Sequence, residues 1–556
     1  MPSNGVKTKR KADIWTYLSI ILLCFFALFI LYPLFKLFIT GFQDTNGNFS
    51  LTNFKTFFTE PYYYNAFFNS MKVTLCSTLI TMVLGTAFAY IMATVQIKAK
   101  SLIQFIMIIV MLSPPFISAY SWIMLLGNQG VITKLIKSIF GARTKINIYG
   151  FPGILTVFSL KLFPYVYMYV QGAMKKLDST LLEASESMGY SGLRKAFTVV
   201  FPLILPTALA AFLVSFANAF ADFGTPALIG RNYKVMATLV YDEYINEVQA
   251  NSNLSAALGI LMVAFTLMLF ALQKWVVSRK TYSSNVVAKP IVPKPAKGVG
   301  GVLAHVFIYL FSLLAMLPQL TVIYISFQKS QGTRIVGGFT FDNIIKAWEK
   351  ARDSIFNSYR LSLGAMVLII IIGMIIGYVS VRRKGPLANA LDTMSMMPFI
   401  IPGSILGIML IRAFNTPPIL LTGTGFIIII AFVMRRMMYT VRSSAAILYQ
   451  ISPQMEEASI ILGYNPFRTF LNITGRLMLT GVLSGAVISW IACINELSSS
   501  VMLYNADTKT MSVFIYLEAF RGYLTDAAGM SAIMTMSMII AVLVVMKLTG
   551  SKEIAL

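Results

Sequence analysis

The chain has 556 residues, 57% of them hydrophobic and 12% charged, and its 45 Lys and Arg against 21 Asp and Glu give a formal charge of +24. Soluble globular chains carry about 25% charged residues, so this composition argues against a water-soluble enzyme. Nucleic-acid binders display their bases on a polar surface, whereas most Lys and Arg here stand in short segments between long apolar runs. The pattern is that of a membrane protein with no nucleic-acid partner.

A helix needs about 20 apolar residues to cross a hydrocarbon core of roughly 30 Å. Such runs centre on 15–40, 71–94, 101–127, 151–174, 198–226, 254–276, 302–327, 360–381, 388–411, 422–447, 470–500 and 526–548. The expected fold is all-α and polytopic, with twelve spans. The first run follows Lys7, Lys9, Arg10 and Lys11 and is too long for the core of a signal peptide, so it is expected to stay as a helix with a cytoplasmic N-terminus. An even number of spans puts the C-terminus on the same side. The basic connections at Lys98 and Lys100, at Lys175, Lys176, Arg194 and Lys195, at Arg279, Lys280, Lys289, Lys294 and Lys297, and at Arg382, Arg383 and Lys384 agree. Lys134, Lys137, Arg143 and Lys145 disobey, since their loop between spans three and four falls outside. That loop reads either as an amphipathic helix on the outer lipid surface or as a docking surface for an acidic partner or anionic solute. Cys24, Cys76 and Cys493 lie inside apolar runs and read as packing residues, and the single histidine, His305, has no partners for a metal or catalytic site.

The linker Val286 to Gly301, with Pro290, Pro293, Pro295 and Gly298, divides the chain into halves 1–285 and 302–556. The halves resemble each other. Phe49 to Phe54 matches Phe339 to Ile344, and Asn69-Ser70 matches Asn357-Ser358, each pair expected to open a span. Glu183-Ala184-Ser185 with Gly189-Tyr190 matches Glu457-Ala458-Ser459 with Gly463-Tyr464, 274 residues further on. The same separation relates Lys161 to Arg435, Arg194 to Arg468 and Asp222 to Glu496. Repeats around a central substrate path are a common transporter plan.

Two cytoplasmic loops, 178–195 and 452–468, carry the clearest motif. Thr180 with Glu183 reads as a capping box, with Asp178 adding negative charge at the helix start. Ser452 and Pro453 read as cap and first helical residue of the second element. Gly189 and Gly463 are placed to end the helices in a left-handed conformation. These segments resemble the E-A-A-x(3)-G-x(9)-I-x-L-P loop of ABC importer permeases, through Glu183, Ala184, Ser185, Gly189, Val199, Phe201 and Pro202, and again Glu457, Ala458, Ser459, Gly463 and Ile473. Gly475 and Arg476 stand where the second copy would have Leu-Pro. With Ala221 to Pro226 reading ADFGTP, the whole chain is most similar to fused permeases of the ferric-iron type, a group that also includes importers of sugar phosphates and phosphonates.

The resemblance implies a type I permease fold with both transmembrane subunits in one chain, in a bacterial inner membrane. It implies two copies of an ABC ATPase as partners, docked at the two loops, and an extracytoplasmic solute-binding protein. No G-x-x-x-x-G-K-[ST] phosphate loop occurs in the sequence. The chain is therefore expected to be no enzyme and to hold no cofactor, with ATP and Mg belonging to the partner ATPase. The cargo would be ferric iron or an anionic solute such as an iron chelate, sugar phosphate or phosphonate. A secondary transporter driven by an ion gradient would share the duplication, but has no use for two capped loop helices.

Lys161 lies about ten residues into span four, roughly 15 Å from its outer end, with Arg435 and Arg436 at similar depth in span ten. A central Lys or Arg costs about 2.5–3.5 kcal/mol on insertion scales. Two readings offset that cost: symmetric ion pairs of Lys161 with Asp222 and Arg435 with Glu496, or a water-filled path whose cations receive an anionic solute. Pro114-Pro115 and Pro398 with Pro402-Gly403 are expected to bend spans three and nine. Met394, Met396, Met397 and Tyr62 to Tyr64 read as packing and interface residues.

Overall fold

Proline and charge decide where the apolar runs become straight helices and where they fold back. The computed structural model describes residues 13–549 except 129, 142–146, 246–250, 280–288, 296–297 and 333. Eight helices among the described residues are long and apolar enough to cross a membrane: Ile14–Gly41, Pro61–Thr94, Phe151–Lys175, Ala196–Ala221, Ser252–Val276, Gly298–Ser326, Asp342–Arg382 and Leu524–Val544. Three further passages are bent pairs, which raises the number to 11. In the third, Lys100–Leu112 and Pro115–Phe140 meet at 101°, and in the ninth, Pro386–Ile400 and Gly403–Phe414 meet at 109°. The eleventh bends by 64° between Leu479 and Gly481. Spans three and nine thus bend at the expected prolines, span eleven bends as well, and the remaining one of the twelve expected passages is the run at 422–447. The run at 422–447 does fold as one helix, Gly425–Leu448, but Arg435, Arg436 and Arg442 leave it too charged to qualify by composition.

The second and eighth helices begin earlier than expected, at Pro61 and Asp342, so Asn69-Ser70 and Asn357-Ser358 lie inside helices instead of opening them. Their role is to hold the chain that follows the fifth and eleventh spans. Ser70 Oγ accepts from Met236 N at 2.8 Å, and Ser358 Oγ from Met511 N at 2.7 Å. Asn69 Nδ2 donates to Lys234 O at 3.1 Å, and Asn357 Nδ2 to Asp507 O at 2.7 Å. The other matched stretch behaves alike: Asn53 Nδ2 donates to the Gly41 and Gln43 carbonyls and Asn343 Nδ2 to those of Ser326 and Gln328, closing the C-terminal ends of spans one and seven.

Glycine lets the second span approach the fourth, and the eighth the tenth. A Cβ on Gly85 would lie 2.6 Å from the Val166 Cβ, and one on Gly373 would lie 2.9 Å from Thr440 Cγ2. Small residues at such crossings are how membrane helices pack when lipid supplies no hydrophobic drive between them. The first span of each half leans on the other half. Trp15 stacks at 4.2 Å on Tyr378, Phe29 lies 5.4 Å from Phe414, and Ser121 Oγ donates to Pro318 O at 2.9 Å.

The loop after span three forms an amphipathic helix, Val131–Phe140, with Val131, Leu135 and Ile139 exposed along one row and Lys134 and Lys137 on the same short element. Arg143 and Lys145 lie outside the described residues, as do Lys7, Lys9, Arg10, Lys11, Lys280 and Lys297.

Candidate functional site

The two loop helices, Ser179–Ser187 and Gln454–Ile461, end in the same way. Gly189 N donates to Glu186 O at 3.0 Å and Tyr190 N to Ser185 O at 3.0 Å, while Gly463 N donates to Ile460 O at 3.0 Å and Tyr464 N to Ser459 O at 3.2 Å. This is the Schellman arrangement, which needs a left-handed residue, and the glycines supply φ of 82° and 90°. A π-helical turn follows each, Ala196–Val200 and Phe470–Thr474, again 274 residues apart. Gly475 and Arg476 therefore leave the entry to span eleven unchanged in form.

The starts differ from the expected capping box. Asp178, not Thr180, is the cap of the first helix, its Oδ1 accepting from Thr180 N at 3.0 Å, and that bond holds the carboxyl below the usual carboxylate range. Glu183 reaches back to the first helical residue, its Oε1 accepting from Ser179 Oγ at 3.4 Å and from Lys289 Nζ at 3.3 Å. Two residues before the second helix proper, Ser452 Oγ accepts from Gln454 N at 3.3 Å. Ser185 and Ser459 face inward, while Glu183, Ala184, Glu457 and Ala458 are exposed. So are two apolar side chains 274 residues apart, Met188 and Leu462, at 69% and 78%.

Deeper in the membrane, the cations of spans four and ten sit on the breaks of spans three and nine. Pro114 and Pro115 have no N–H, so the helix carbonyls four residues back, those of Val110 and Met111, lose their partners. Lys161 Nζ donates to these carbonyls, at 2.5 and 3.0 Å, and also to Ser113 O and to Ser113 Oγ at 3.1 Å. An ammonium has three protons, so this one is saturated by the cut helix end, where the helix dipole also favours a cation. In the second half Arg435 Nη1 donates to Ile401 O at 2.9 Å, the last carbonyl before Pro402.

The counter-charges are not symmetric. Arg435 Nε is 3.2 Å from Glu496 Oε2, and Arg436 bonds the same oxygen. Lys161 makes no ion pair with Asp222, which corrects the expected first bridge; its ammonium is already filled by carbonyls. Neither acid lies inside its span. The helices end at Ala221 and Ile494, and each carboxylate instead ties down the turn that follows: Asp222 Oδ1 accepts from Gly224 N at 3.1 Å, and Glu496 Oε1 from Ser499 N and Oγ at 3.2 and 3.1 Å.

Several residues of this site carried no recognisable pattern in the sequence. Asn495 Nδ2 donates to Leu112 O at 2.5 Å, the Gln319 side-chain amide and the Ser113 hydroxyl are hydrogen-bonded at 2.7 Å, and Tyr165 Oη donates to Met111 O at 3.2 Å. Asn495 and Gln319 come from the second half, so the break of span three is also a seam between halves. A polar residue in an apolar run beside a Pro-Pro pair was the available clue. Among the described residues no group of three or more His, Cys, Asp and Glu could hold a metal ion.

Known proteins are similar to this chain in sequence. The family model described as "Binding-protein-dependent transport system inner membrane component" matches twice, at residues 85–282 and 369–550. The chain is 29% identical over 518 residues to the ferric transport system permease protein FbpB of Actinobacillus pleuropneumoniae, covering 91% of this chain and 74% of that protein. It is 28% identical to the putative ferric transport system permease protein FbpB 1 of Haemophilus influenzae, covering 91% and 80%. A solved bacterial alginate ABC transporter, in complex with alginate pentasaccharide-bound periplasmic protein, aligns over 49% of this chain and 96% of its own at 16% identity and a TM-score of 0.42. With both halves matched, the chain belongs to the family of binding-protein-dependent transport system inner membrane components.

Proposed function

We propose that this chain is the membrane subunit of an ATP-driven importer that carries ferric iron, bare or as an anionic chelate, from an extracytoplasmic binding protein into the cytoplasm. The observation that carries the proposal is the pair of loop helices, alike in their Schellman ends, their outward Glu-Ala pairs and their exposed Met188 and Leu462. One copy of an ATPase subunit would dock at each, and ATP with its Mg would be bound there and not in this chain. Both termini then lie on the cytoplasmic side with the loop helices, and 286–301 joins the two permease halves.

Iron is favoured as cargo by relatives named for ferric transport that align with 91% of the chain. The membrane cations argue less for an anionic solute than they do from sequence, because Lys161 is filled by carbonyls and Arg435 by Glu496 and Ile401. Asp222, with no ion pair, is the carboxylate left to face a hard cation. The test is co-purification of the chain with its ATPase and measurement of iron uptake in proteoliposomes. Gly463→Asp, which places a charged side chain in a left-handed position at the end of the second loop helix, should separate ATP hydrolysis from uptake. Undiminished uptake in that variant would remove the coupling role.

A further inference from the structure

The two loop helices are fastened to the membrane helices by different means. In the second half the fastening is direct. Glu456 accepts from Arg382 Nε at 2.9 Å and from Tyr378 Oη at 2.9 Å, and Arg382 Nη2 reaches Ile451 O at 2.7 Å, tying the loop helix to the end of span eight. In the first half those positions cannot do this. Thr94 and Tyr90 stand 288 residues before Arg382 and Tyr378, the separation that also relates Asn69-Ser70 to Asn357-Ser358, and Leu182 stands 274 before Glu456. Thr94 spends its hydroxyl on Tyr90 O, and Leu182 is buried in an apolar cluster.

The linker occupies the gap. Lys289 O accepts from Ser179 N at 2.9 Å, at the start of the first loop helix. Five residues on, Lys294 N donates to Thr94 O at 2.9 Å and Lys294 O accepts from Gln96 N at 3.0 Å, at the end of span two. Between them Ile291 packs on the cluster that holds Leu182. Lys289 and Lys294 also pair with Glu183 and Glu186, at 3.3 and 3.1 Å. Exposed pairs of this kind hold weakly, so the backbone bonds and Ile291 carry the contact. Pro290, Pro293 and Pro295 keep the strand extended and reduce the entropy lost in ordering it.

We propose that the linker is the brace of the first half: residues 289–295 fasten the first loop helix to span two as Arg382, Tyr378 and Glu456 fasten the second to span eight. Lys289, Ile291 and Lys294 are then positioning residues for coupling, which rests on the reading of the loop helices as ATPase docking sites. A mere tether needs no register with Thr94, Gln96 and Ser179.

The test replaces 289–295 by a Gly-Ser segment of equal length in the full chain, assembled with its ATPase and binding protein in proteoliposomes. The tether survives and the brace does not. Uptake per ATP hydrolysed should fall several-fold, and amide exchange should rise in 179–187 but not in 454–461. Unchanged uptake per ATP together with unchanged exchange would overturn the brace. Should the replaced chain fail to accumulate, Lys294→Pro removes one N–H and one ammonium from the same contact, and the same exchange difference decides. Failure of the unaltered chain to bind any ATPase would sink the docking reading instead, and exchange on the chain alone would still decide whether the linker holds the helix.

Discussion

The two halves agree wherever a backbone group had to be satisfied and differ wherever a charge had to be balanced. Both close the C-terminal ends of spans one and seven with an Asn amide, both end the loop helix on a left-handed glycine, and both follow it with a π-helical turn. Both also set a cation on the carbonyls of a proline break. Yet among the described residues only the second half pairs its membrane cations with an acid, and its loop helix is tied by a buried ion pair to a membrane helix, whereas the pairs on the first loop helix are exposed and run to the linker. An unpaired buried amide or carbonyl has few remedies. A buried cation has several, including carbonyls in place of a carboxylate, so duplicated halves are freer to diverge there.

The comparison is broken most forcefully by removing the cations. Lys161→Met together with Arg435→Met removes the ammonium from the Val110 and Met111 carbonyls and leaves them only the Ser113 and Tyr165 hydroxyls, a loss of about 1–3 kcal/mol in all, and leaves Glu496 with one arginine. Iron uptake should be abolished, and surviving uptake would mean that the breaks need no cation. Next in size is the contrast between the acids. Glu496→Gln leaves two buried arginines without a counter-charge and should cost about 3–5 kcal/mol, whereas Asp222→Asn should cost under about 1 kcal/mol because an Asn side-chain oxygen accepts the same Gly224 N–H. Thermal unfolding of the two detergent-solubilised variants reads this directly, and equal shifts would refute the asymmetry. Arg382→Ala, which leaves the buried Glu456 without its arginine, should destabilise by about 3 kcal/mol; Lys289→Ala should stay within about 1 kcal/mol because its partner is exposed.

Smaller effects sharpen the likeness. Ala at Gly189 or Gly463 meets no neighbour within 4 Å, so each substitution should cost only the left-handed backbone penalty, about 1–2 kcal/mol, and the two should match. Smallest is the dependence on pH. Lys195 and Lys294 hold the Glu186 carboxyl below its ordinary range, so its contribution is complete above the unfolded carboxylate value and fades only as pH falls through the lower folded one. Amide exchange in 179–187, corrected for intrinsic rates, should therefore be flat near neutrality; a loosening there between about pH 6 and 8, well above carboxylate values, would contradict it.

Much of this was legible in the sequence because it rests on local chemistry. Apolar runs located the membrane passages, glycine placed the ends of the loop helices, and a constant separation of 274 residues exposed the repeat. What escaped depends on side chains that meet across elements. Lys161 and Asp222 looked like a pair by analogy with Arg435 and Glu496, but the carbonyls freed by Pro114 and Pro115 reach the ammonium first. Thr180 and Glu183 fit a capping box, yet Asp178, two residues earlier, takes the Thr180 N–H. The linker looked like a spacer because proline-rich stretches usually are, and its backbone bonds to Thr94, Gln96 and Ser179 have no sequence signature.

The most direct test of the account is energetic. Proteoliposomes holding the chain, its ATPase and its binding protein should take up ferric iron only when ATP is present on the side of the loop helices, and collapsing ion gradients with ionophores should leave the rate unchanged. Uptake that continues without ATP and stops with the ionophore would contradict it.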